Sequence, residues 1–208
     1  MSDSRAYSPK LFAASWIEFS GAQQEGPFGT DSELIAAIHA QESALLQFAN
    51  VHPFSGAQLA ELRMQGSIGG AEHEVFVREA AVGESRVWKL TKKGRWGLLR
   101  ATPLEYLLRL DQLDQASGTD IRVEGVVVDT SGLPLLVTSM DYVHGEHPSP
   151  AALDQLLHGQ GWEKLFDPDQ MLSYRHKTDG IVMRDAHSKN FILMQSGALV
   201  PIDVIFTH

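Results

Sequence analysis

The chain has 208 residues, enough for one large domain or two small lobes, and its 43% hydrophobic and 21% charged residues are the balance of an ordinary globular protein. Twenty-six acidic against seventeen basic side chains leave a net charge of −9, which argues against nucleic acid as the main partner, because phosphate backbones need a basic surface. The absence of cysteine excludes disulfides, thiolate metal sites and cysteine nucleophiles; no apolar run reaches the ~20 residues that span a bilayer and the first residues lack the apolar core of a secretory signal, so a cytoplasmic protein is expected.

Residues 1 to about 29 carry Gly21, Gly26, Pro27 and Gly29 and read as an irregular arm with one apolar patch, Leu11 to Ile17. Thr30 followed by Glu33 forms a capping-box pattern, and Leu34, Ile35, Ile38, Leu45, Leu46 and Phe48 then follow helical spacing to about Ala49. A second short helix is expected from Ser55 to Leu62. The texture changes at Gln65-Gly-Ser-Ile-Gly-Gly70. Two antiparallel strands, Glu74 to Val77 and Arg86 to Thr91, are expected around a turn at Val82 to Glu84. Pro103 opens a helix with Leu104, Leu107, Leu108 and Leu110 on its apolar side. Strands follow at Ile121 to Asp129 and Leu135 to Ser139, with Asp129 to Gly132 as their turn. Tyr142 to Pro150 reads as a linker, and Ser149 starts a helix ending near Gly159. Trp162 to Tyr174 has no assigned structure. Ile192 to Gln195 and Leu199 to Ile202 read as a closing hairpin.

That hairpin has unusual polar neighbours. Asn190 and Asp203 flank its two arms, so they meet at one end of the ribbon, with Asp185 on the loop leading in. Two side-by-side oxygens suit Mg²⁺, a hard cation that keeps waters and takes phosphate oxygens. A further carboxylate nearby could accept a proton from a hydroxyl. Taken singly, Asp185 and Asn190 also read as turn residues. The basic turn Lys92 to Arg95 reads as a solvated hairpin end, and the four tryptophans as core anchors. His144, His147 and His158 have no firm metal-site spacing.

"RDAHSKN" followed by "PIDV" resembles the catalytic loop and metal-binding Asp of the protein-kinase-like superfamily, whose pattern is H-R-D-x-x-x-x-N, a hairpin, then D-F-G. Arg184 and Asp185 match, with Asn190 and Asp203 at family spacing. Met183 stands in the histidine position and Val204-Ile205 in place of Phe-Gly. Gln65 to Val77 resembles a Gly-rich phosphate loop, Lys89 the third-strand lysine, and Glu105 the helix glutamate that orients it. Met140 to Val143 resembles the hinge. Three phrases, "GGAEHEVFV", "TPLEYLLRLDQLDQASGTDIRVEGVV" and "GIVMRDAHSKNFILMQSGALVPIDV", are similar to the kinase-like domain of bacterial and phage polyvalent proteins, over about residues 30 to 208.

The resemblance implies an α+β, bilobal protein-kinase-like fold. Residues 1–62 would form the N-terminal arm and helical extension, and 63–143 a small antiparallel-sheet N-lobe with one helix. A reduced C-lobe, 144–208, would end in the hairpin. It implies ATP and Mg²⁺ as cofactors. Asp185, Lys89, Glu105 and His187 would form the catalytic group. Gly66, Gly69, Gly70, Val75, Lys89, Met140, Tyr142, Asn190 and Asp203 would line the nucleotide, with Asn190 and Asp203 on the metal. The acceptor, small molecule or protein, is left open, and a protein partner or self-association could cover the short C-lobe. Besides phosphoryl transfer, three readings stay open: a nucleotide-binding pseudokinase, transfer of AMP, and a structural protein of a mobile element with a coincidental motif.

Overall fold

The computed structural model describes residues 7–20, 30–51, 53–70, 72–78, 85–97, 101–166 and 171–207. Ser8 and Pro9 start the first helix, α1 (Pro9–Ser20). The Ser8 hydroxyl accepts from Leu11 N–H at 3.3 Å, and proline suits a first helical position, where no N–H is needed. Phe12, Ala13 and Trp16 share one face and are buried. The segment expected to be an irregular arm is therefore a helix across its apolar patch; its glycine-rich remainder, 21–29, lies outside the described residues. Helix α2 (Asp31–Ala49) opens with the expected capping box: Thr30 N–H donates to Glu33 Oε2 at 2.9 Å and Glu33 N–H to Thr30 Oγ1 at 3.3 Å. Phe12 meets Phe48 edge-on with centroids 5.2 Å apart, which seats α1 on α2. Helix α3 (Gly56–Met64) has a second capping box, from Ser55 and Gln58.

Strands β1 (Ile68–Gly69), β2 (His73–Arg78) and β3 (Arg86–Thr91) come next, then helix α4 (Pro103–Ser117), then β4 (Arg122–Val128) and β5 (Pro134–Asp141). They form one antiparallel sheet in the order β1-β2-β3-β5-β4. The turn expected at 82–84 lies outside the described residues. Period-two alternation sorts the side chains. Phe76, Leu90, Val127, Leu135 and Val137 pack with Phe54, Leu59 and Leu62, and Trp88 leans on this cluster. Val75, Lys89, Thr138 and Val123 are cross-strand partners in series, so they share the opposite face. The outer edge of β4 is covered by backbone from upstream: Tyr7 exchanges two hydrogen bonds with Val123, and Phe54 N–H donates to Val126 O at 3.0 Å, which removes an open sheet edge.

Arg86 ties the sheet's end together. Its guanidinium is 15% exposed and reaches Ser139 Oγ at 3.0 Å, Asp141 Oδ1 at 2.6 Å and the Asp120 carbonyl at 2.6 Å.

Helix α5 (Pro150–Gly159) is capped by Ser149, with proline at its first position. Strands β6 (Trp162–Leu165), β7 (Ser173–His176) and β8 (Val182–Arg184) follow, then a 3-10 turn at Ser188–Asn190. Strands β9 (Phe191–Leu193), β10 (Leu199–Pro201) and β11 (Ile205–Thr207) complete the described chain. The expected β9–β10 hairpin is present, and it does not close the chain: β11 returns to pair with β8 in a four-stranded sheet, β11-β8-β7-β6. The unassigned stretch from Trp162 supplies β6 and the start of β7.

The protein is thus mixed α+β, with five α-helices and antiparallel sheets among the described residues. It divides into two compact units, Met1–Asp111 with Asp120–Tyr142, and Gln112–Thr119 with Val143–His208. Helices α1 to α3 belong to the same unit as the five-stranded sheet. No described helix is long and apolar enough to cross a membrane.

Two stability predictions follow from the polar ties. Arg86→Met leaves several acceptors without their donor, and unfolding in urea is expected to show a loss of about 2–3 kcal/mol. On α5, Asp154 accepts from the buried Tyr174 hydroxyl and from Lys164 at 3.1 Å. The tyrosine hydrogen bond, foremost, holds the Asp154 carboxyl below the usual carboxylate range. A depressed folded pKa contributes stability above the unfolded value, about 3.9, and that contribution is lost as pH falls through the lowered value. Asp154→Asn should therefore make the acid limb of melting temperature against pH less steep.

Candidate functional site

In the second unit, two strand pairs converge on one group of loops. β8 pairs with β11 in the register Arg184↔Ile205, and β9 pairs with β10 in the register Phe191↔Pro201. The loop 185–190 leaves β8 and the turn 202–204 enters β11. Ile202 N–H donates to Asn190 O at 2.9 Å, so Asp203 is one residue past Asn190's backbone partner, as the hairpin argument expects. Asp203 is exposed and Val204 is buried, 4% exposed.

Asp185 has φ +53°, a left-handed conformation that costs an aspartate energy. Two contacts hold it there. Ala186, fully buried, donates its N–H to Leu172 O at 2.8 Å. Asn190, 7% exposed, donates Nδ2 to Asp185 O at 2.7 Å and to Asp185 Oδ2 at 3.0 Å. The second carboxylate oxygen, Oδ1, is 3.6 Å from His187 Nε2, and both side chains are roughly half exposed. The result is a fixed, solvent-reachable carboxylate whose one oxygen is hydrogen-bonded and whose other faces an imidazole. Such a group can orient a hydroxyl and take its proton. Committing the Asn190 amide nitrogen to Asp185 leaves its carbonyl oxygen as the atom suited to a hard cation.

Contacts outside the expected residues also hold this loop. Glu146 exchanges backbone hydrogen bonds with Leu193, at 3.1 and 2.8 Å, so part of the expected linker lies along β9. His147 Nδ1 donates to Phe191 O at 2.8 Å, next to Asn190. Gly145 packs so closely that a Cβ there would sit 2.4 Å from Leu193 O. In sequence this stretch reads as a linker, because only the register of β9 shows what its glycine touches.

In the first unit, Gly66 has φ +83°, which favours glycine. Gly69 pairs with Glu74. Gly70 N–H donates to His73 O at 3.2 Å, and Lys92 braces the turn: its N–H donates to Glu72 O at 2.9 Å and its ammonium to Gly70 O. Ala71 lies outside the described residues. Lys89 is the direct cross-strand partner of Val75. Met140 is buried opposite Val87, and Tyr142 is 40% exposed with its N–H on Ser85 O at 2.9 Å. The Glu105 carboxylate closes a third capping box, Oε2 accepting from Thr102 N–H at 2.8 Å while Glu105 N–H donates to Thr102 Oγ1 at 3.2 Å.

The structure thus joins Asp185, His187 and Asn190, brings Asp203 to the same end of the ribbon as Asn190, pairs Val75 with Lys89, and commits Glu105 to its own helix start. Among the described residues no three His, Asp or Glu side chains cluster as a metal site. Comparison with protein-family models, curated proteins and solved structures finds no match to this chain.

Gly145→Ala forces a Cβ against backbone. It is expected to cost about 2–3 kcal/mol in urea unfolding, whereas Gly159→Ala, with open space around its Cβ position, should not destabilise.

Proposed function

We propose that this chain is an ATP- and Mg²⁺-dependent phosphotransferase with a bilobal protein-kinase-like fold and a reduced second lobe, acting on a hydroxyl acceptor. The observation that carries the reading is the Asp185–Asn190 pair: a carboxylate held in a left-handed turn by the asparagine five residues on, with Asp203 at the same end of the ribbon. Positive φ alone does not mark a site, since Asp120 (φ +49°) shares it; what Asp185 adds is a buried asparagine amide that fixes its carboxylate. The order of elements adds support: glycines at 66, 69 and 70 around the short β1, a lysine on β3, helix α4, strands β4 and β5, and, after α5 and β6 to β8, the loop and hairpin.

The roles follow from charge and placement. Asp185 orients the acceptor hydroxyl. As that oxygen bonds to the γ-phosphorus and the bond to the β–γ bridging oxygen breaks, the proton passes to the Asp185 carboxylate and ADP leaves. Asn190 and Asp203 would hold Mg²⁺, which supplies neutralisation of the phosphate charge. Lys89 is assigned to the α- and β-phosphates, and the Gly66–Gly70 turn to their cover, since N–H groups there approach phosphate with no side chain in the way. Met140 and Tyr142 are assigned to the adenine. His187 is assigned to the γ-phosphate. Phosphoryl transfer needs placement and charge stabilisation more than covalent help, so this short list is sufficient. The acceptor is a small molecule or a protein.

One observation favours a second reading, a nucleotide-binding pseudokinase of a phage or mobile-element system: Glu105 is committed to the cap of α4. Turnover separates the two. With ATP and Mg²⁺, wild type is expected to melt higher, by the equivalent of about 2.7 kcal/mol at a ligand concentration a hundred times Kd. Lys89→Ala and Asp203→Ala should lose that rise. Asp185→Asn should keep it while lowering ATP turnover about 10²–10⁴-fold. A wild-type melting temperature indifferent to ATP and Mg²⁺ would end the nucleotide reading; binding without turnover would leave the pseudokinase.

A further inference from the structure

Gln41 and Glu42 are neighbours on α2 and both are buried, 5% and 6% exposed, on a helix whose other buried side chains include Leu34, Ala37, Leu45 and Phe48. Polar groups at that depth are costly unless bonded. Each reaches off its own helix. Gln41 Oε1 accepts from the backbone N–H of Leu104 at 3.0 Å, and Glu42 Oε1 accepts from the Trp96 indole N–H at 3.0 Å. The first turn of α4 shows why the glutamine matters. Pro103 has no N–H, Glu105 N–H goes to Thr102 Oγ1 and Tyr106 N–H to Thr102 O. The Leu104 donor is satisfied from α2. Three residues from Pro103, the buried Tyr106 hydroxyl shares a 2.9 Å hydrogen bond with His73 Nε2. The carbonyl of His73 receives the Gly70 N–H of the glycine turn.

We propose that Gln41 is a positioning residue for the glycine turn. It fixes the start of α4, α4 fixes His73 through Tyr106, and His73 fixes Gly70. The proposal rests on the reading of that turn as the phosphate cover, and it makes helix α2 a working part of the nucleotide site. A simple packing role for α2 would need neither polar side chain.

The test uses the full chain as Gln41→Met, Tyr106→Phe, their double variant and Gln41→Glu, which keeps an acceptor oxygen. Kd for ATP with Mg²⁺ is measured by titration calorimetry at a temperature where every variant is folded. Each of the first two is expected to weaken binding about three- to tenfold. The double variant should be no weaker than the weaker single, because both cut one chain of contacts, and Gln41→Glu should bind near wild type. Independent, multiplying effects, or a lowered melting temperature with Kd unchanged, would overturn the proposal. Amide hydrogen exchange at Gly70 reads the same chain without nucleotide: Gln41→Met should speed it. If wild type takes no ATP, the phosphotransfer reading fails, and this exchange rate alone decides whether α2 positions the turn; unchanged protection of Gly70 rejects it.

Discussion

The Asn190 amide holds Asp185 in a left-handed backbone conformation, and the geometry of the second unit's loops depends on that bond pair. A left-handed non-glycine residue costs on the order of 1–3 kcal/mol, so something must hold it. Two hydrogen bonds from a buried donor, one to the carbonyl and one to the carboxylate, are of that size when one acceptor is charged. Aspartate at position 190 would offer no donor and would repel Asp185. The clasp has its own supports: Ala186 bonded to Leu172 on one side, Phe191 bonded to His147 on the other, and Ile202 on the Asn190 carbonyl. A loop fixed at this many points holds the Asp185 carboxylate in one orientation.

This anchoring matters because the second unit has a small core. Leu153, Leu157, Tyr174, Met183, Phe191 and Val204 are its main buried side chains. Small units bury a modest fraction of their apolar surface. Hydrogen-bonded strand pairs and polar ties such as Asp154 with Tyr174 and Lys164 therefore carry a larger share of the order. The first unit contrasts with it. Its five-stranded sheet has a continuous apolar cluster on one face and a buried polar set, including Gln41, Glu42, His73 and Thr102, elsewhere. Polar burial of that kind contributes less to stability than to fixing one arrangement.

Local chemistry decided what the sequence could reveal. The capping pattern Thr30–Glu33, Pro103, the alternation around Lys89 and the apolar run Leu135 to Val137 each act within a few residues, and the elements they announce stand where expected. Helix α1 escaped because neighbouring glycines outweighed Ser8-Pro9 and the spacing of Phe12, Ala13 and Trp16. Strands β8 and β11 have three residues each, too short for any period to register; pairing makes them strands. At the site, the Asp185, Asn190 and Asp203 spacing was legible because a hairpin is a local object with a fixed register. Gly145, His147, Gln41 and Tyr106 were not, since their partners are backbone atoms and rings distant in sequence.

Glu105 shows how two local rules can compete for one carboxylate. Thr102-Pro-Leu-Glu105 is the same capping pattern as Thr30-Asp-Ser-Glu33, and the structure satisfies both boxes. Under the phosphotransfer reading the same carboxylate is also the natural partner of Lys89. A cap is worth about 1 kcal/mol and a partly exposed ion pair about 0–1 kcal/mol, so neither demand dominates through its own energy. A bound triphosphate changes the balance. On that reading it would bring negative charge to Lys89 directly, and the lysine would need no glutamate to hold it. Glu105 would then stay in the cap of α4, whose first turn is held through Thr102 and Gln41 rather than through a charge pair.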